Sequence, residues 1–173
     1  MGATGGGGVI HCCTVMPIRI RLIYGSTTGH TEYVVSAVSE RLSAAGATVT
    51  MQRVELAQAD DLRQADIILL ACGTWNTGGI EGQLNPHMHA FLRERAQHVE
   101  LNSLPCLAIG LGDRRYRYTA NAAPLLEKFL TEHGGVLLLP ALKVVDEPYD
   151  RLDEVLQPWL EQLLQKLRTF SIA

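Results

Sequence analysis

Little in this chain of 173 residues speaks for a metal, a membrane or a nucleic acid. Cysteine is scarce. The four cysteines, Cys12, Cys13, Cys72 and Cys106, form no CxxC pair, which excludes a zinc ribbon and a dithiol redox site. Cys72 and Cys106 sit inside apolar runs and read as buried thiols, for which a reducing cytoplasm is the simplest compartment. No apolar run is long enough to span a bilayer. Charge of either sign is modest: 15 Lys and Arg against 18 Asp and Glu leave a net charge of -3, too little to draw the chain to nucleic acid or an anionic membrane. Residues 1–16 lack any helical or strand period. Their glycine run, with neither an early basic cluster nor a long apolar core, reads as a flexible tail and not as a signal peptide. His11-Cys12-Cys13, three adjacent ligand types with no second cluster, is assigned to that tail, and Met16-Pro17 reads as a natural start. The remainder, residues 17–170, is rich enough in apolar residues for one domain with its own core.

The stretch that does carry chemistry is Gly25-Ser26-Thr27-Thr28-Gly29-His30-Thr31-Glu32. It follows the apolar run Ile18–Tyr24 and leads into a helical pattern. A hydroxyl-rich turn at a helix N-terminus offers unpaired N–H groups and a positive dipole end to an anion. A serine or threonine capping an ordinary helix looks the same. A nucleoside triphosphate is excluded, because a Walker loop ends in Gly-Lys-Ser/Thr and no lysine or arginine lies here. A dinucleotide fingerprint, G-x-G-x-x-G, is also absent. A phosphate monoester held by backbone and hydroxyls fits what remains.

Apolar runs and amphipathic stretches alternate along the rest. Strands are expected at Ile18–Tyr24, Thr48–Val54, Ile67–Cys72, Cys106–Leu111 and Val136–Leu139, the last extending through Leu142–Val145. Helices are expected at Thr31–Ala45, Pro86–Gln97, Asn121–His133 and Leu152–Arg168, with a short helical turn at Asp60–Gln64. The pattern predicts an α/β fold: a doubly wound, five-stranded parallel sheet with helices on both faces. Such sheets bind ligands beyond the carboxyl ends of their strands. The loops that matter are then those after the first, third and fourth strands.

The second of these, 73–83, holds Thr74-Trp75-Asn76-Thr77 among glycines. The third, 110–118, holds Gly112-Asp113-Arg114-Arg115-Tyr116-Arg117-Tyr118. Taken singly, Trp75 reads as a core or interface aromatic and Tyr116 as a surface tyrosine. Together with the phosphate turn they describe a site for a flat heterocycle carrying one phosphate, stacked between two aromatic plates. Flavin mononucleotide, FMN, is the natural candidate.

At these residues the chain resembles the flavodoxin family over nearly all of 17–168. Ser-Thr-Thr-Gly-His-Thr-Glu is similar to that family's phosphate loop, Thr-Trp-Asn to its first flavin loop, and Gly-x-Gly-Asp-x-x-Tyr to its second. The resemblance implies a short-chain flavodoxin with strand order 2-1-3-4-5. It implies that Ser26, Thr27, Thr28, Gly29, His30 and Thr31 bind the FMN phosphate. Thr74, Trp75, Asn76 and Thr77 would line one side of the isoalloxazine, and Gly112, Asp113 and Tyr116 the other, with no catalytic residue and no metal. The Asn76–Thr77 peptide would turn its carbonyl toward the ring on one-electron reduction. The implied function is a low-potential one-electron carrier, monomeric and cytoplasmic, between a reductase donor and an acceptor enzyme.

Three departures stand out. His30 occupies a place usually held by asparagine and can still donate a hydrogen bond from its imidazole. The net charge is far less acidic than the family's usual one. Arg114, Arg115 and Arg117 surround Tyr116, where they are expected to put positive charge at the ring's edge and to favour an acidic partner. Two other functions share the fold: an FMN-dependent NAD(P)H:quinone reductase, and a flavodoxin-like accessory module for another enzyme. Trp75 and Tyr116 on both ring faces weigh against the first, which needs room for nicotinamide. Such accessory relatives often lack the tryptophan. A phosphoacceptor domain is excluded, because Tyr24-Gly25 and Cys72-Gly73 stand where acidic residues would be needed.

Overall fold

A computed structural model describes residues 17–170. The expected tail, with His11-Cys12-Cys13, lies outside them. Strands β1 (Arg19–Gly25), β2 (Thr48–Arg53), β3 (Ile67–Thr77) and β5 (Pro105–Gly112) run parallel in the order β2-β1-β3-β5. The fifth position is filled by two short pieces, β6 (Val136–Leu137) and β7 (Leu142–Val145), both parallel to β5. Pro140 lies between them and has no N–H to give a ladder. This is the expected order 2-1-3-4-5, with its last strand broken.

Helices α1 (His30–Ala44) and α4 (Leu152–Phe170) cover one face of the sheet. Helices α2 (Pro86–Ala90) and α3 (Ala122–Glu132) cover the other. Successive side chains of a strand point to opposite faces. Leu22 and Leu69 therefore pack under α1 and α4, whereas Ile23 and Leu70 pack under α2 and α3. Burial on both faces explains why the strands read as unbroken apolar runs. It also explains α1, which buries Val34, Val35 and Val38. Each valine costs roughly half a kcal/mol of helix propensity against alanine, and full burial returns about 1.5–3 kcal/mol. Trp159 anchors α4 by donating from Nε1 to the Pro140 carbonyl at 3.0 Å.

Two stretches differ from expectation. The segment 73–83, expected as a loop, is largely strand: β3 runs on to Thr77 and pairs antiparallel with β4 (Ile80–Leu84). Gly78 and Gly79 close this hairpin with φ of 65° and 75°. Two successive positive φ values at a two-residue loop are what a type I′ turn needs. The helix expected over Pro86–Gln97 is shorter: α2 gives way to a π-helical turn at Phe91–Arg95, where the Ala96 N–H reaches back five residues to the Phe91 carbonyl at 2.9 Å. The wider turn seats Phe91, Leu92 and Ala96 together in the core.

Cys72 and Cys106 are buried free thiols, and burial pushes both up to about 12. No helix among the described residues is long and apolar enough to cross a membrane.

Candidate functional site

The register decides where the loops meet. Gly25 of β1 is level with Cys72 of β3, and Gly73 is level with Leu111 of β5. The chain therefore leaves all three strands at one edge of the sheet. There it walls a cleft of about 610 Å³, well inside the range of small-molecule sites.

The first wall is the turn after β1. Helix α1 has Gly29 as its N-cap, at φ 90°, which has no side chain of its own to cap the helix. Ser26 Oγ accepts from the Glu32 N–H at 3.3 Å, and the Gly29 carbonyl accepts from the Tyr33 N–H at 2.9 Å. The N–H groups of His30 and Thr31 have no partner of this kind among the described residues, as expected for a first helical turn. Thr27, Thr28, His30 and Thr31 line the cleft. Ser26 is buried, and neither it nor Gly29, the left-handed N-cap, is part of the lining. His30 Nε2 is 3.5 Å from a Glu147 carboxylate oxygen, and its ring meets Tyr149 edge-on at 5.5 Å.

The turn contains no cation, but one stands behind it. Arg53, at the end of β2, donates from Nη2 to the Ser26 carbonyl at 2.6 Å and pairs with Glu55 at 3.0 Å. Sequence reading missed it because its role depends on β2 lying beside β1, with Arg53 opposite Tyr24.

The second wall is the base of the β3–β4 hairpin. Trp75 is 36 % exposed and lines the cleft with Thr74 and Asn76. Its indole lies over Gly73, where a β-carbon would be 3.2 Å from Nε1. The Thr74 hydroxyl is committed to the scaffold: it donates to the Leu111 carbonyl at 2.8 Å and accepts from the Ala122 N–H at 3.0 Å. Thr77 faces the hairpin, donating to the Leu84 carbonyl at 2.7 Å. The register slips between Trp75 and Thr77. Asn76 thus sits in a bulge, where a peptide is least held by the ladder.

The third wall is the turn 113–118. Tyr116, 65 % exposed, lines the cleft with Gly112, Asp113, Arg115, Arg117 and Tyr118. Glycine here answers to packing more than to a ligand. A β-carbon on Gly112 would lie 2.0 Å from the Ala120 nitrogen, and one on Gly110 2.2 Å from the Ala123 nitrogen, where α3 crosses the strand. Gly82 of β4 is likewise filled from outside by Tyr118, 2.5 Å from where its β-carbon would be.

The arginines do not present the free positive rim expected of them. Arg115 is held on Asp113 through its backbone N–H and its guanidinium, and Arg114 pairs with Asp146. The Arg115 hydrogen bonds hold the Asp113 carboxyl down at about 2. Arg117 has no carboxylate partner among the described residues and lies over the Tyr118 ring at 5.4 Å. The carboxylates of Glu81, Asp113, Asp146 and Glu147 outnumber the guanidiniums of Arg115 and Arg117 in the lining. Asp146 and Glu147 form a fourth wall, after β7. A polar cluster next to a proline, directly after an apolar strand, was the signal that could have found it.

Parallel strands ending in a phosphate-type turn, with a tryptophan and a tyrosine walling the cleft beside it, define a mononucleotide-binding α/β domain. The comparisons narrow this. The flavodoxin family model matches residues 22–159. The chain is 28 % identical over 138 residues to the flavodoxin of Nitratidesulfovibrio vulgaris strain Miyazaki F, covering 79 % of this chain and 91 % of that one. It is 32 % identical over 148 residues to Protein MioC of Escherichia coli K12, covering 83 % and 97 %. The solved flavodoxin of Streptococcus pneumoniae TIGR4 superposes with a TM-score of 0.75 at 25 % identity, covering 86 % of this chain and 99 % of that one. The chain belongs to the flavodoxin family, whose members bind FMN and carry electrons.

Proposed function

We propose that this protein is a one-electron carrier at low potential, taking electrons from a reductase and passing them to an acceptor enzyme in the cytoplasm. The observation that carries this reading is the cleft itself. Its walls offer flat aromatic surface at Trp75 and Tyr116 and a helix start whose first N–H groups, those of His30 and Thr31, are unclaimed among the described residues. The residues fit FMN. The unclaimed N–H groups of His30 and Thr31 and the hydroxyls of Thr27, Thr28 and Thr31 suit a phosphate. Gly73 leaves the indole of Trp75 room to lie flat.

FMN, when bound, accepts and donates electrons one at a time through its ring. The protein's part is to hold and tune it. The turn at 26–31 fixes the phosphate by N–H donors and a helix dipole. Trp75 and Tyr116, which line the cleft, would cover the ring faces and exclude water, so that negative charge there would be poorly solvated. The carboxylates of Glu81 and Glu147, which pair with no arginine among the described residues, would oppose that charge further. Both effects would lower the potential at which a bound flavin takes its second electron. The Asn76 peptide, freed by the bulge, can turn its carbonyl toward the ring. Trp75 and Tyr116 also occupy the places a nicotinamide would need, which favours a carrier over a quinone reductase.

The protein should purify yellow and release FMN on denaturation. Flavin fluorescence should be strongly quenched in the intact protein. Tyr116→Ala should weaken binding by about 1 kcal/mol, roughly fivefold, and restore part of the fluorescence. Bright fluorescence in the unaltered holoprotein would remove the sandwich. Rapid NAD(P)H oxidation with no added reductase would replace the carrier by an enzyme.

A further inference from the structure

Asn85 is a buried polar residue with 0 % exposure, and it lies outside the lining of the cleft. It follows β4 and caps α2. Its Oδ1 accepts from the His87 N–H at 3.0 Å, and its Nδ2 donates to Thr27 Oγ1 at 2.9 Å. Its backbone N–H donates to the Gly73 carbonyl at 3.0 Å. The amide has one orientation here. A backbone N–H can only donate, so the oxygen must face His87 and the NH2 must face Thr27. The side chain also lies where a β-carbon on Gly25 would come within 2.9 Å of Oδ1, so glycine at the end of β1 is what admits it.

The direction of the Asn85–Thr27 bond has a consequence for the turn. A hydroxyl has one proton and two lone pairs. Asn85 occupies a lone pair of Thr27 Oγ1 from behind, so the proton is left to point elsewhere. Thr27 lines the cleft at the turn where a phosphate would lie. We propose that Asn85 is a positioning residue for the FMN phosphate: from outside the site, it fixes the Thr27 hydroxyl as a donor toward the bound phosphate. The inference rests on the reading of this turn as the phosphate site. It gives a function to a side chain of the hairpin's far end that no motif marks.

Asn85→Asp separates this role from a structural one. Aspartate keeps the shape and can still accept from the His87 N–H. Facing Thr27 it can only accept, so it draws the hydroxyl proton away from the phosphate and adds a charge of the same sign behind it. Loss of one charge-assisted hydrogen bond with added repulsion predicts a fall in FMN affinity of ~30-fold or more. Riboflavin, which has the same ring and no phosphate, should change less than about threefold. Both ligands are titrated into apoprotein of each variant. A fall confined to FMN supports the proposal. Equal loss of both ligands makes Asn85 a structural residue only and overturns it, as does no loss of either. If unaltered protein does not distinguish FMN from riboflavin, the phosphate reading itself fails and the proposal falls with it. Should Asn85→Asp not fold, as judged by circular dichroism, Asn85→Ala and Thr27→Val decide the matter in a double-mutant cycle on FMN affinity. Non-additive losses support the link through Thr27, and additive losses overturn it.

Discussion

Riboflavin is expected to bind this protein at least a hundredfold more weakly than FMN. The two ligands share the ring and the ribityl chain, so the walls made by Trp75 and Tyr116 treat them alike. Only the phosphate differs, and on the proposed reading the turn at 26–31 is what distinguishes it. Hydrogen bonds to a charged group contribute about 1.5–3 kcal/mol each. Two such bonds from the N–H groups of His30 and Thr31 would give about 3–6 kcal/mol, and each 1.4 kcal/mol is tenfold. The helix dipole adds to this without a cation. Fluorescence titration of apoprotein with each ligand measures the ratio directly. A ratio near one would leave the turn an ordinary helix start and move the source of affinity to the aromatic walls.

A second large effect is expected from Gly110→Ala, at a glycine outside the lining of the cleft. The added β-carbon would meet the backbone nitrogen of Ala123 at 2.2 Å and its α-carbon at 2.7 Å. Backbone cannot swing aside as a side chain can, so α3 would have to move off β5. That displacement disturbs the core around Ala122, Leu126 and Leu130. The expected cost is roughly 3 kcal/mol or more, at the severe end for one substitution. Gly79→Ala serves as the contrast. A β-carbon there meets nothing within 4 Å, and only its positive φ resists, which predicts a loss of about 1 kcal/mol. Urea unfolding of the two apoproteins should show a much lower midpoint for Gly110→Ala. Equal midpoints would mean that α3 yields more easily than its packing suggests.

The sheet was legible because its signal is local. Apolar runs such as Ile67–Cys72 and spaced valines such as Val34, Val35 and Val38 report burial by themselves. The hairpin β3–β4 was not, because its sequence is polar and glycine-rich, and pairing across Gly78-Gly79 is what makes it a strand. Most of the lining was also legible: the hydroxyls of the turn, Trp75 and Tyr116 announce themselves by residue type. What could not be read were contacts between distant segments. Arg53 reaches the turn only through strand pairing, and Asn85 reaches Thr27 only once the hairpin folds back. The charge of the third loop was misread for the same reason. Arg114 and Arg115 look like free cations until Asp146 and Asp113 are placed beside them. Only Arg117 keeps the character expected of all three.

Cys72 and Cys106 give the molecule an internal clock. Both sulfurs lie in the layer between the sheet and helices α2 and α3, shut off from solvent and held as thiols. An alkylating reagent needs a thiolate it can touch, and neither condition is met until that layer opens. Modification of these two positions, followed by peptide mapping, therefore counts openings of the domain and not surface reactivity. Adding FMN should slow the count in proportion to site occupancy, since a ligand held only by the folded form withdraws molecules from the open one. The rate at which two buried residues outside the lining of the cleft are labelled thus becomes a gauge of how firmly the cleft holds its ligand.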